Sequence, residues 1–96
     1  MEKETVLAIL SDHEADLRAH GVRQLLLFGS VARGTAGPAS DVDLAAEFDR
    51  PVGLFALVRL RRFLEELLGR RVDLVPMDGL RPEVRSAVLR EGLRAA

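Results

Sequence analysis

Cysteine, tryptophan, tyrosine and asparagine are absent from this sequence of 96 residues, and lysine occurs once. Without cysteine there is neither a disulfide framework nor a thiolate, so the chain makes no use of an oxidising compartment. No apolar run approaches the roughly 18 to 20 continuous residues that a membrane-spanning helix needs. Residues 1 to 4, Met-Glu-Lys-Glu, are polar and acidic where a secretory signal would have a basic start and an apolar core. A cytoplasmic protein with no membrane association is expected. Strong positive charge is missing too, for the net charge is −1, and general duplex nucleic-acid binding calls for a basic surface that displaces phosphate counterions. All but one of the 14 basic residues are arginine, which suits heat adaptation and codon bias equally.

What is present is 48% hydrophobic and 30% charged, the balance of a soluble globular protein. A chain of this length predicts one domain, residues 1–96. It should bury about two thirds of its unfolded surface and be modestly stable unless it associates.

The chain is organised around residues 25–47, LLLFGSVARGTAGPASDVDLAAE. The apolar run Leu25-Leu26-Leu27-Phe28 delivers the backbone to Gly29-Ser30, and after ten further residues Asp41 and Asp43 open a second apolar run. Gly29 lets the backbone turn where a side chain would collide with a ligand, and Ser30 can cap a short helix through Val31-Ala32-Arg33. Such a turn presents free N–H groups and the positive end of a helix dipole to an anion. Asp41 and Asp43, two apart on a strand, leave the same face roughly 7 Å apart at Cα and can converge on a hard divalent cation. Together these features predict a metal-bound polyphosphate.

Residues 4–20 read as one amphipathic helix, with Val6, Leu7, Leu10 and Leu17 near one face and Gly21 as its stop. His13 and His20 lack partners at metal-binding spacing and receive no role. Residues 22–28 are apolar enough for a central strand covered on both faces. The loop 35–40 then returns Asp41 to the phosphate end, and for Gly29 and Asp41 to face one ligand the first two strands must be antiparallel neighbours. The second strand runs from Val42 to Phe48 and is broken at Asp49-Arg50-Pro51. Residues 52–69 give the strongest helical pattern, with Arg61–Glu65 and Arg62–Glu66 expected as solvated ion pairs and Gly69 as the stop.

Arg71 to Val75 is a short strand ended by Pro76. Its Asp73 lies in a Val-Asp-Leu-Val context, where a carboxylate needs a partner. Asp73 enters near the start of its strand as Asp43 does, so strand three should run parallel to strand two, with the long helix as crossover. Met77 reads as a gap filler and Asp78-Gly79 as a turn. Arg81 to Arg94 reads as a final helix with Pro82 in its first turn, packing through Val84, Val88 and Leu89. Arg71, Glu47 and Glu83 read as strand-edge and helix-surface charges. The expected fold class is therefore α/β (α+β): a small mixed β-sheet with helices packed on it.

Three ionised carboxylates at one site repel unless divalent metal is present, and Mg²⁺ is the natural choice. Two such ions could share one polyphosphate. Arg33, one turn beyond Gly29-Ser30, can reach either a phosphate or a carboxylate.

Gly29-Ser30, ten intervening residues and Asp41-Val42-Asp43 resemble the signature of the DNA polymerase beta type nucleotidyltransferase superfamily. Arg33-Gly34 and Ser40-Asp41-Val42-Asp43-Leu44 narrow the resemblance to its minimal nucleotidyltransferase (MNT) domains. It continues through Arg71-Val72-Asp73-Leu74-Val75 to the Leu80-Arg81-Pro82 and Leu89-Arg90-Glu91 segments, and so covers most of the chain. The resemblance implies a polymerase-beta-like core in which Asp41, Asp43 and Asp73 are catalytic and ligate the metals. Asp73 would help to activate the attacking hydroxyl, and Gly29, Ser30 and Arg33 would bind the nucleotide. It further implies a Mg²⁺-dependent antitoxin that transfers AMP from ATP to a hydroxyl, typically tyrosine, of a HEPN-type helical toxin, hence a hetero-oligomer. About twenty residues follow Asp73, so the acceptor is expected from outside the chain. Two other readings stay open: an antitoxin that neutralises its partner by binding alone, and a nucleotidyltransferase subunit acting on a small molecule or an RNA end.

Overall fold

The computed structural model describes all 96 residues. In chain order the elements are α1 (Lys3–Ser11), α2 (Glu14–Ala19), β1 (Val22–Phe28), α3 (Gly29–Arg33), β2 (Val42–Phe48), α4 (Leu54–Leu68), β3 (Val72–Pro76), a 3-10 turn (Met77–Gly79), α5 (Pro82–Glu91) and β4 (Leu93–Arg94). The four strands form one mixed sheet in the order β3-β2-β1-β4. β1 pairs antiparallel with β2, and β2 pairs parallel with β3. Both pairings follow from the sequence, because a ligand shared by the end of β1 and the starts of β2 and β3 permits only that arrangement.

Strand alternation sorts the core. Leu25, Leu27, Val42, Leu44, Ala46, Val72 and Leu74 point to one face and meet Val6 and Leu10 of α1, Leu17 of α2, and Leu60, Leu64 and Leu68 of α4. Leu26 and Ala45 point to the other face, where only Met77 and Val88 join them as fully buried residues. The sheet thus has one thickly covered face and one thinly covered face. Asp43 and Asp73, by the same alternation, belong to the thin one.

Several local expectations are corrected. The N-terminal helix is two helices, because the His13 ring nitrogen Nδ1 bonds the Ile9 carbonyl at 2.8 Å, displacing its own backbone N–H to Leu10 at 3.1 Å. An α-helix would have sent that N–H to Ile9. The expected Arg61–Glu65 and Arg62–Glu66 ion pairs do not form; the ion pairs present are Arg50–Asp49 and Arg71–Asp41. Glu65 turns instead to the sheet and accepts the Val72 N–H at 3.0 Å. The last helix ends at Glu91, and Leu93–Arg94 pairs antiparallel with Leu26–Leu27 as β4. Gly92 makes this crossing, where a Cβ would stand 2.5 Å from the Val88 carbonyl oxygen. Of the three residues expected to pack from α5, only Val88 is buried, while Val84 and Leu89 are exposed.

Candidate active site

The site forms where β1 ends and β2 and β3 begin. Phe28, the last residue of β1, is extended and leads into Gly29 at φ 73, a left-handed conformation that glycine adopts without cost. That turn starts α3. The helix carries no side-chain cap, its N-cap position being Phe28, so the expected capping role of Ser30 is not realised; Ser30 lies inside the first turn. Its carbonyl accepts the Thr35 N–H at 2.9 Å, while its hydroxyl makes no hydrogen bond within the protein. Arg33 closes the helix and is exposed.

Phe28 is paired with Asp43 across the antiparallel ladder, and Asp43 with Asp73 across the parallel one. The Gly29 turn, Asp43 and Asp73 therefore stand in a row across neighbouring strands, about 4.8 Å per step. The carboxylate of Asp43 folds back over the turn: a Cβ built on Gly29 would overlap Asp43 Oδ2 and stand 2.9 Å from its Cγ. Asp41 precedes β2 by one residue and is exposed. Asp73 is exposed as well. The expectation that its apolar sequence context would force a partner upon it fails, because the thin face leaves it open to water.

These groups sense one another. Burial, then the charge of Asp73, then that of Asp41, pushes the Asp43 carboxyl above its ordinary range, and Arg33 opposes the rise. Arg33 and the three aspartates are thereby brought into one electrostatic unit. As they stand, no three acidic or histidine side chains close on a single coordination point. The donor set nevertheless fits a hard divalent cation, being all carboxylate oxygen, and, after burial, the charges of Asp73 and Asp41 add to the rise at Asp43 a like-charge repulsion that a cation would relieve.

Three residues passed over in the sequence also shape the site. Glu65 fixes the start of β3 through the Val72 N–H. Arg70 Nη1 donates to the Pro38 carbonyl at 2.6 Å and so ties down the 35–40 loop. Arg71 accepts the Val42 N–H on its own carbonyl at 2.9 Å and holds its guanidinium Nε 3.9 Å from Asp41 Oδ1. The signal for Arg71 was present, since parallel strands with Asp43 beside Asp73 also set residue 41 beside residue 71.

Residues 7–95 match the family model described as a nucleotidyltransferase domain. The chain belongs to that family. Among curated relatives, this nucleotidyltransferase is 42% identical over 89 residues to the protein adenylyltransferase MntA of Thermococcus cleftensis, covering 92% of this chain and 90% of the relative. A solved structure described as a minimal nucleotidyltransferase superposes with a TM-score of 0.85 at 42% identity, covering 97% of this chain and 95% of the other. A crystal structure of a toxin-antitoxin with AMP-PNP superposes with a TM-score of 0.77 at 25% identity, covering 91% of this nucleotidyltransferase and 72% of that chain. No helix is long and apolar enough to cross a membrane.

Proposed function

We propose that this nucleotidyltransferase is the Mg²⁺-dependent antitoxin of a pair, acting in the cytoplasm and transferring AMP from ATP to a tyrosine hydroxyl of a HEPN-type helical toxin. The observation that carries the reading is the packing of Asp43 upon Gly29 with Asp73 next in register. A carboxylate pressed onto a backbone turn that offers N–H groups makes chemical sense when a cation and a phosphate share the space between them. The names of the relatives, a protein adenylyltransferase and a toxin-antitoxin with AMP-PNP, support the nucleotide and the kind of partner.

In this reading Asp41, Asp43 and Asp73 hold Mg²⁺, two ions in all. When bound, the metal neutralises charge on the triphosphate and on the departing pyrophosphate. The backbone at Gly29-Ser30 and the Ser30 hydroxyl hold phosphate oxygens, and the Arg33 guanidinium adds a charge-assisted contact. Asp73, exposed on the open face, accepts the proton of the acceptor hydroxyl as its oxygen bonds to the α-phosphorus. The bond from that phosphorus to the oxygen bridging to the β-phosphate breaks, and pyrophosphate leaves with the electron pair. Arg33 stabilises the charge that develops there.

The direct test is calorimetry of ATP binding, with and without Mg²⁺, to the chain alone and together with its partner. Binding that requires Mg²⁺ is expected. Absence of binding with both Mg²⁺ and partner present refutes the nucleotide reading.

A further inference from the structure

Arg70 and Arg71 enter β3 side by side, yet their guanidinium groups are used differently. That of Arg70 is engaged on the Pro38 carbonyl at 2.6 Å. That of Arg71 makes no hydrogen bond; it lies 3.9 Å from Asp41 Oδ1 with 87% of its side chain exposed. An exposed pair so loosely held contributes little to stability, and it leaves the guanidinium free to change partner.

Its position narrows what that partner is. Strand alternation puts Arg71 on the same face as Asp73, two residues before it. Across the sheet, Phe28 pairs with Asp43 and Asp43 with Asp73, so the order from β1 to β3 is phosphate turn, central carboxylate, Asp73. Arg71 stands at the Asp73 end. In an in-line transfer the incoming oxygen and the leaving group lie on opposite sides of the phosphorus. With the triphosphate at Gly29-Ser30, the hydroxyl comes in over β3, and Arg71 flanks the acceptor rather than the pyrophosphate.

We propose that Arg71 is a specificity residue that reads a carboxylate beside the acceptor hydroxyl, so that the favoured acceptor is an acidic segment. The inference rests on the transferase reading above and adds the chemistry of the acceptor. The guanidinium fork pairs with a carboxylate through two N–H groups, and its charge disfavours a segment with basic neighbours.

The experiment uses the full chain, α-labelled ATP, Mg²⁺ and two synthetic peptides, in which one tyrosine is flanked on both sides by glutamate or by glutamine. The wild-type protein should label the glutamate peptide about tenfold better in kcat/KM, mainly through KM, as one charge-assisted contact allows. Arg71→Ala should abolish the preference by raising KM for the glutamate peptide toward that for the glutamine peptide. Arg71→Lys should keep part of it, and Arg71→Glu should favour a lysine-flanked peptide. Calorimetry with ATP and Mg²⁺ separates two failures. If the wild-type protein binds no nucleotide, the transferase reading falls and this inference with it. If it binds nucleotide but labels neither peptide, or labels both alike, or if Arg71→Ala weakens ATP binding instead, Arg71 is not an acceptor-reading residue and the inference is overturned.

Discussion

The carboxylate of Asp43 lies in the space that a Cβ on residue 29 would fill. Glycine at that position therefore does two things at once: it permits the turn at φ 73 and it admits the side chain that the turn must face. Gly29→Ala should cost about 1 to 3 kcal/mol of stability, the range for a side chain forced into a left-handed conformation, and should also dislodge Asp43. Urea unfolding measures the first effect and Mg²⁺-dependent ATP binding the second. Nucleotide affinity unchanged from wild type would show that Asp43 and the turn do not share a ligand.

For Asp43 itself the sign of the pKa shift decides the outcome. Burial and the neighbouring Asp73 and Asp41 raise its carboxyl above the reference value of 3.8, against the lowering by Arg33. A carboxyl raised on folding binds its proton more tightly in the native state. Stability therefore falls as pH rises from the unfolded pKa through the folded one, and the deficit persists at neutral pH. Asp43→Asn should accordingly raise the melting temperature in metal-free buffer at pH 7 and lose that advantage near pH 3. Transfer should drop by more than about a hundredfold, as when a charge-stabilising group is removed from an active site. A variant that is both less stable and fully active would make Asp43 a structural residue.

Glu65 is a separable case, because it acts on the site only by fixing where β3 begins. Glu65→Ala leaves the Val72 N–H without its 3.0 Å acceptor and should cost about 1.5 to 3 kcal/mol, the range for a hydrogen bond to a charged group. Glu65→Gln keeps a carbonyl oxygen at the same reach and should recover most of that loss. Equal destabilisation by both substitutions in urea melts would mean that the charge of Glu65, not its acceptor oxygen, is what matters.

Arg70→Ala should release the 35–40 loop from β3 by removing the bond to the Pro38 carbonyl. Amide exchange over residues 35–40 should quicken while α4 and the strands keep their protection. Protection of the loop unchanged from wild type would assign its order to the Gly37–Ser40 turn, where Gly37 N–H meets Ser40 Oγ at 2.9 Å.

The strands and the long helix were legible because each carries its own pattern. Residues 25–28 are an unbroken apolar run, residues 42–48 are apolar apart from Asp43 and Glu47, and α4 repeats its leucines at helical spacing. The antiparallel and parallel pairings followed from placing Gly29, Asp43 and Asp73 against one ligand. What escaped was decided by contacts between distant residues. The break at His13 comes from a ring nitrogen taking a backbone carbonyl, which no apolar period reveals. β4 is two residues long and owes its extended form to pairing with Leu26–Leu27. Glu65 looked like half of a helical ion pair until β3 offered it an N–H. The openness of Asp73 depended on how little of the second face α5 covers, and that is a property of the packed sheet rather than of the residues around Asp73.

The measurement that bears most directly on the proposed activity is the mass of the helical partner after incubation with this nucleotidyltransferase, ATP and Mg²⁺. Transfer should add about 329 Da for each AMP, the nucleotide less its departing pyrophosphate. The modified partner should stay inactive after this protein is removed, and Asp43→Asn should leave the mass unchanged. A partner of unaltered mass that is fully inhibited by both the wild-type protein and Asp43→Asn, and recovers on separation, would contradict the transferase mechanism and leave inhibition by binding alone.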